Sequence, residues 1–186
     1  NREKIISIDS VLIKNLCHRK FGIGADGLII LEGNSDIGFS IHHFNSDGEK
    51  SSFCANGSRC LVHFAKFLNL FEKDISFVSN GKKIVGSVKN DMVSITMPDV
   101  LNIKTDQNGY YILNTGCLHL VVFTENLKEV DVNYLGSEIR NFKDYQEDGI
   151  NVNFVEIVEK KIFIRTYERG VENETLSCGT GVVASV

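Results

Sequence analysis

The spacing of hydrophobic and polar residues predicts strands and two helices in the first half of the chain. Five segments have the alternation or composition of β-strands: residues 27–32, 38–44, 75–80, 82–89 and 92–97. Turns are predicted at Asn80-Gly81 and Asn90-Asp91. Helical spacing predicts one helix over residues 10–19, capped by Asp9 or Ser10, and a second, buried on nearly all sides, over residues 59–70.

The second half repeats this organisation. Its predicted strands are residues 110–116, 118–123, 150–158 and 160–167, and a helix is predicted near residues 134–142. Polar residues 99–108 form a candidate linker, so we place two domains at 1–103 and 104–186. In each half, strands lead into an acidic polar loop, a Cys-x-(Asn or Thr)-Gly segment and an apolar helix. The pattern predicts a diverged internal duplication.

Composition narrows the classes of function. With 186 residues, 42% of them hydrophobic and 24% charged, the chain has the composition of a globular protein. A net charge of −4 and scattered lysines argue against a nucleic-acid partner, and the sequence lacks the run of about 20 apolar residues that spans a membrane. We therefore expect a cytoplasmic protein. Five cysteines at irregular spacing predict reduced thiols and no metal site.

Two of these cysteines carry the candidate chemistry. Cys54 and Cys178 each stand directly before a predicted helix, where unpaired N–H groups and the helix dipole favour a thiolate and lower its pKa. Glycines beside both cysteines leave room for a carboxylate near those N–H groups. Two such thiols can exchange a proton at a carbon next to a carboxylate, which is racemisation without a cofactor. Cys17 and Cys60 fall inside helical patterns and are interpreted as packing residues.

Six segments in order then point to a family. "FGIGADGLI", "FNSDG", "CANGSRC", "NTGCLH", "INVNFVEI" and "YERGVENETLSCGTG" resemble successive motifs of the diaminopimelate epimerase family, over essentially the whole chain. The resemblance implies two pseudo-symmetric α+β domains, each of strands wrapped around a central helix, with the active site between them. It also implies interconversion of LL-2,6-diaminopimelate and the meso isomer, in lysine and peptidoglycan biosynthesis, without pyridoxal phosphate or metal. A homodimer is suggested by the family alone.

The resemblance also assigns roles to residues by position. Cys54 and Cys178 would be the acid/base pair, and His119 would lie close to the reacting centre. Glu168 would hold the α-ammonium group of the substrate. The reacting carboxylate would be bound by Asn56, Gly57, Gly179 and Thr180. The distal end of the substrate would be bound by Asn45, Asn151 and Arg169.

The chain departs from the family pattern in several places. Ala55 stands where the family usually has glycine, and Cys117 and Leu118 replace an Asn-Pro pair, so a polar substrate contact is not expected at Cys117. The family's first strand, with its Gly-Asn-Asp-Phe motif, and the strands after the second cysteine's helix have no counterpart here, so both domains are expected to lack a terminal part.

Other functions stay open at this stage. Proline or hydroxyproline racemases and phenazine-biosynthesis isomerases share the duplicated fold. The former usually carry Cys-Gly-His and Ser-Pro-Cys at the two cysteines, where this chain has Cys-Ala-Asn and Leu-Ser-Cys. A non-catalytic amino-acid-binding protein on the same scaffold would not need both thiols.

Overall fold

The chain divides into two compact units. The computed structural model describes residues 8–34, 38–51, 53–79, 81–147 and 149–186. Contacts between Cα atoms separate Asn1–Met97 from Pro98–Val186. The boundary predicted at 103/104 lies a few residues further on, inside the short strand β6 (Ile103–Thr105). The predicted domains thus differ from the two units by the segment 98–103.

The described part of the first unit consists of two helices and a five-stranded sheet. In chain order its elements are α1 (Ser10–Cys17), β1 (Gly27–Asn34), β2 (Gly38–Asn45), α2 (Ala55–Phe67), β3 (Asp74–Ser79), β4 (Lys82–Lys89) and β5 (Met92–Ile95). The strands lie in the order β1-β2-β3-β4-β5. All pairs are antiparallel except β2 with β3, and α2 forms the crossover between these two.

Local signals explain the shorter elements of this unit. Asp9 caps α1, its side chain accepting a hydrogen bond of 2.8 Å from the N–H of Leu12. The predicted first helix is confirmed, although it ends at Cys17, which is buried as expected. Asn90 and Asp91 both have positive φ, at 49° and 61°, as required for the tight turn that joins β4 and β5. Asn80, in the other predicted turn, lies outside the described residues.

The core of the first unit forms where α2 lies against the sheet. Val62 is fully buried, and a Cβ at Gly86 of β4 would overlap its side chain, so this glycine permits the close approach. The predicted burial on nearly all sides is wrong, since Phe64 and Phe67 are 52% and 77% exposed. Cys60 is also exposed, contrary to its interpretation as a packing residue. Helix α2 therefore buries one face only.

The described part of the second unit consists of a six-stranded sheet and two α-helices, with two short 3₁₀ helices. Its elements after β6 are β7 (Tyr111–Asn114), β8 (Leu118–Phe123), a 3₁₀ turn (Leu127–Glu129), α3 (Val132–Arg140), a second 3₁₀ turn (Lys143–Tyr145), β9 (Asn151–Val158), β10 (Lys161–Glu168), β11 (Asn173–Thr175) and α4 (Gly179–Ala184). The strand order is β11-β10-β9-β8-β7-β6, with only β8 and β9 parallel. The prediction missed β6 and β11, which are three-residue edge strands in segments rich in polar residues.

Helix α3 and the middle strands form the core of the second unit. Val132 and Ile139 of α3 are buried in one cluster with Leu120, Val152 and Tyr167. A cluster of this kind in each unit, covered by one or two helices, makes the fold α+β as predicted. In the part of the chain that the structure describes, no helix is long and apolar enough to cross a bilayer.

Candidate active site

Cys54 is the N-cap of α2. Its backbone is extended, with φ −118° and ψ 110°, and its Sγ accepts a hydrogen bond of 3.3 Å from the N–H of Gly57. Cysteine thus takes the place that serine or aspartate usually fills, and its sulfur pairs one of the free donors of the first turn. The side chain is half-buried. The predicted helix start directly after Cys54 is confirmed.

Two side chains from the sheet, those of Ile29 and His43, lie beside this helix start. A Cβ at Gly57 would lie 2.7 Å from Cδ1 of Ile29, 3.4 Å from Nε2 of His43 and 3.5 Å from the Cys54 sulfur. Strand β2 thus brings an imidazole nitrogen into the neighbourhood of the thiol. The strand pattern predicts a structural role for His43, which stands on the same face of β2 as Phe39 and Ile41, and these two pack on the core.

Two of the three asparagines assigned to the substrate lie nearby in the chain. Asn45 ends β2, opposite Gly27 of β1, and its backbone forms a tight turn with Gly48, whose φ is 86°. Asn56 lies in the first turn of α2, where its side-chain oxygen accepts a hydrogen bond from the Arg59 guanidinium. The site roles of both residues stay predictions.

Cys178 occupies the same position before α4 but has different surroundings. It is the N-cap with φ −114° and ψ 107°, and its side chain forms no capping hydrogen bond. Only 5% of it is exposed. Burial, and next the Glu168 charge, raise the pKa of its thiol to about 12, while the Thr180 hydroxyl and the Gly181 N–H act in the opposite direction. The expected lowering by the helix start is therefore outweighed here.

A buried hydrogen-bond network lies beside the Cys178 sulfur. The Thr180 hydroxyl oxygen is 3.4 Å from this sulfur, 3.2 Å from the Cys117 sulfur and 2.9 Å from Nε2 of His119. The same His119 nitrogen is 3.1 Å from the Cys117 sulfur. Burial, with a smaller effect of the Arg169 charge, lowers the pKa of His119 to about 4, so the ring is neutral near pH 7.

Asn151, the first residue of β9, links the start of β8 to the turn that follows β10. Its side-chain nitrogen donates to the Leu118 carbonyl at 3.2 Å and to the Cys117 sulfur at 3.4 Å, and its oxygen accepts from the Arg169 N–H at 2.9 Å. Cys117, where no polar contact was expected, is thus a buried member of the site. Whether Asn151 also reaches a substrate stays a prediction.

Glu168 ends β10, Arg169 follows it in a turn, and both are half-buried. A Cβ at Gly149, whose φ is 69°, would lie 2.5 Å from Cδ of Arg169, so glycine gives the arginine stem its path. Gly179 begins α4 and is half-buried, and Thr180 follows it with 4% exposure. The structure thus brings His119, Thr180 and Cys178 together.

Asn153 and Cys117 are the main members that sequence reasoning missed. Asn153 is fully buried in β9, and it contacts His119 and Thr166. A signal existed, since Asn151 and Asn153 are two polar residues on the face of β9 that otherwise carries Val155 and Ile157. Among the residues that the structure describes, no group of three or more histidine, cysteine, aspartate or glutamate side chains could hold a metal ion.

Comparison with known proteins decides the family. The profile of the family described as diaminopimelate epimerase matches residues 2–100 and 111–186. The chain belongs to the diaminopimelate epimerase family. The match includes both cysteines and every residue to which the resemblance gave a role.

Curated relatives of the same name come from several bacteria. The chain is 46% identical over 179 residues to the diaminopimelate epimerase of Flavobacterium psychrophilum, covering 95% of this chain and 70% of the relative. It is 39% identical to that of a Nitratiruptor species, with the same coverage. The Chlorobaculum tepidum protein is 34% identical, covering 100% of this chain and 75% of the relative.

Solved structures support the fold at low sequence identity. A Bacillus anthracis phenazine biosynthesis protein of the PhzF family superimposes with a TM-score of 0.65 at 13% identity, covering 86% of this chain and 64% of that one. A hydroxyproline epimerase from Agrobacterium vitis gives 0.64 at 14% identity, covering 91% and 61%. Identities this low show the fold alone, so they do not favour the rival activities.

Proposed function

We propose that this chain belongs to an enzyme that interconverts LL-2,6-diaminopimelate and meso-diaminopimelate, in the supply of lysine and peptidoglycan precursors. Cys54 and Cys178 act as the two proton carriers, and neither pyridoxal phosphate nor a metal takes part. The observation that carries the proposal is that each unit presents one cysteine as the N-cap of a helix, within the residues that match the family profile.

The reaction needs only proton transfers. One thiolate takes the proton from the α-carbon of the substrate, and the electron pair left behind delocalises into the α-carboxylate. The thiol on the opposite face then gives its proton to the same carbon, so the two sulfurs exchange protonation states. N–H groups in the first turn of α2, together with those of Gly179 and Thr180, stabilise the carboxylate as charge builds on it.

Substrate binding can activate Cys178. In this structure the Glu168 charge is the second cause of the raised thiol pKa, after burial. An α-ammonium group bound by Glu168 would neutralise that charge and add a positive one beside the sulfur. The thiolate then becomes easier to form only when a substrate is present, which protects the free enzyme from unwanted chemistry.

Specificity rests on the distal end of the substrate. Arg169 offers a guanidinium for a second carboxylate, with Asn45 and Asn151 as its predicted partners. Proline has no group for these side chains, so their loss of hydration would go uncompensated. We therefore expect proline to be rejected.

The test follows the α-hydrogen in heavy water. The protein is incubated with LL-diaminopimelate, without added cofactor, and proton NMR records loss of the α signal while chiral chromatography identifies the meso isomer. We expect both, and no exchange with proline. Exchange of proline alone would assign the chain to the proline racemases, and binding without exchange would indicate an amino-acid-binding protein. A cytoplasmic location and a homodimer stay predictions, the latter open to light scattering.

A further inference from the structure

In the buried network of the second unit, the donor and the acceptor of each hydrogen bond can be assigned. The side-chain amide of Asn153 decides this assignment. The side-chain nitrogen of Asn153 lies 3.0 Å from the carbonyl oxygen of Leu120, and its side-chain oxygen accepts from the Thr166 hydroxyl at 3.0 Å. A carbonyl oxygen can only accept, so the amide must turn its NH₂ group toward Leu120. The orientation of this amide is therefore fixed by the backbone.

The same NH₂ group has a second hydrogen, and this one points to His119. The Asn153 nitrogen is 3.0 Å from Nδ1 of His119. Because the amide nitrogen cannot accept, Nδ1 must be the acceptor and carries no proton. The single proton of the neutral ring is then on Nε2.

The assignment of donors extends from His119 to Thr180 and to the Cys178 sulfur. With its proton on Nε2, His119 donates to the Thr180 hydroxyl oxygen at 2.9 Å. The Thr180 hydroxyl is left with its own hydrogen to donate, and two sulfur acceptors are in reach, Cys117 at 3.2 Å and Cys178 at 3.4 Å. The Cys117 sulfur already accepts from the Asn151 amide at 3.4 Å, and an ionised Cys178 attracts the hydrogen more strongly than a neutral thiol does. We propose that Asn153 is a positioning residue: it fixes the proton of His119 on Nε2 and so makes the Thr180 hydroxyl a hydrogen-bond donor to the Cys178 sulfur.

The role matters because few other groups help this sulfur to ionise. Glu168 and Cys117 both disfavour a negative charge on Cys178, His119 is neutral, and Arg169 acts on His119. Among the described residues, the Thr180 hydroxyl and the Gly181 N–H lower the pKa of this thiol. A hydrogen bond to a thiolate is charge-assisted, so it strengthens when Cys178 loses its proton. This inference rests on the proposed role of Cys178 as a proton carrier.

The decisive variant is Asn153→Asp. A carboxylate at this place only accepts, so it favours the tautomer with the proton on Nδ1, and Nε2 then accepts the Thr180 hydrogen. In protein labelled with ¹⁵N-histidine, we expect His119 to show a protonated Nε2 in the wild type and a protonated Nδ1 in the variant. His119→Gln identifies the signal. A wild-type ring protonated on Nδ1 would overturn the proposal.

A second measurement follows the thiol itself, without any substrate. Alkylation of Cys178 by iodoacetamide, resolved by mass spectrometry between pH 7 and 10, should slow by about tenfold in Asn153→Asp, the effect expected for one lost charge-assisted hydrogen bond. Unchanged alkylation would contradict the proposal. The matched control, Thr166→Val, removes the bond to the Asn153 oxygen but keeps Leu120 as the orienting group, so the tautomer and the Cys178 rate should persist.

Two features keep the test informative whatever the aspartate does to stability. Thr180→Val removes the donor by an isosteric change and should slow Cys178 alkylation by a similar factor. If Asn153 acts through Thr180, adding Asn153→Asp to Thr180→Val should not slow the alkylation of Cys178 further. Additional slowing in the double variant would refute the proposal that Asn153 acts through Thr180. Neither the NMR nor the alkylation measurement depends on epimerase activity, so a failure of the proposed function would show up separately.

Discussion

Cys54 and Cys178 both cap the first turn of a helix, yet the Cys54 sulfur is half-buried and accepts a backbone N–H, whereas the Cys178 sulfur is 5% exposed and lies beside a side-chain hydroxyl. Their backbone angles are nearly the same. The local motif therefore fixes where each sulfur stands, and the neighbours that the fold supplies fix how easily it ionises.

The neighbours differ in kind as well as in number. In the neighbourhood of Cys54 lie the first turn of α2 and, beside Gly57, the imidazole of His43 on β2. Around Cys178 they belong to three separate segments of the chain, which contribute Cys117, Glu168 and Thr180. We expect the first thiol to be ready for chemistry in the free protein, and the second to depend on its network and on a bound substrate.

The largest expected effect tests whether the two sites are equally needed. Cys54→Ala and Cys178→Ala should each lower epimerisation by at least about 10²–10⁴-fold, because each face of the α-carbon needs its own proton carrier. The matched control is Cys60→Ala, which removes an exposed thiol from the same helix as Cys54. Activity is measured by formation of the meso isomer, with circular dichroism as the check on folding. Near-normal turnover in either cysteine variant would contradict the two-thiol scheme.

A second experiment measures the difference between the thiols directly. With a pKa of about 12, Cys178 is ionised in about one molecule in 10⁴ at pH 8, and burial slows it further. In a Cys60→Ala background, we expect iodoacetamide to modify Cys54 at least about 10²-fold faster than Cys178. Glu168→Gln removes the second cause of the raised pKa and should speed the reaction at Cys178 alone. Equal rates for the two thiols would contradict the expected difference in their reactivity.

Sequence reasoning succeeded where the signal was local. The helices after Cys54 and Cys178 follow from apolar spacing behind glycine-rich segments, and the turn at Asn90-Asp91 follows from residues that tolerate positive φ. Strands β6 and β11 were not predicted, because three residues are too few to show a periodic pattern of apolar positions. The exposed faces of Phe64 and Phe67 escaped because an apolar residue does not reveal which side of a helix meets the sheet.

The site was predictable only in part, for a similar reason. Positions in motifs named His119, Thr180 and Cys178 separately, but their shared hydrogen bonds join residues 61 apart and 2 apart in the chain. The raised pKa of Cys178 depends on burial by strands distant in sequence, which outweighs the favourable helix start. Acidity is therefore a tertiary property that a motif cannot supply.

A third experiment uses acid pH to measure how the buried His119 of the second site contributes to stability. The pKa of His119 is lowered from 6.5 to about 4, so the unfolded chain binds more protons between these values. The stability that His119 contributes is full above about pH 6.5 and is lost as pH falls through about 4, by about 3 kcal/mol of unfolding free energy. Urea unfolding followed by circular dichroism at pH 7, 5 and 4 measures this loss. His119→Gln should lose less stability over the same range, and identical losses would refute the assignment.

The smallest expected effect compares the glycines beside the two sulfurs. A Cβ at Gly181 would overlap the Asn153 side-chain oxygen, which is held by the buried network, so Gly181→Ala should cost about 1–3 kcal/mol of unfolding free energy. A Cβ at Gly57 would meet the end of the Ile29 side chain at 2.7 Å, which can turn away. Because alanine also favours the helix by about 1 kcal/mol, Gly57→Ala should cost less than about 1 kcal/mol. Urea unfolding measures both, with Gly33→Ala as the control, since a Cβ there meets nothing within 4 Å. An equal cost at Gly57 and Gly181 would mean that the first helix start is as tightly held as the second, and the contrast between an open and a networked thiol would not extend to packing.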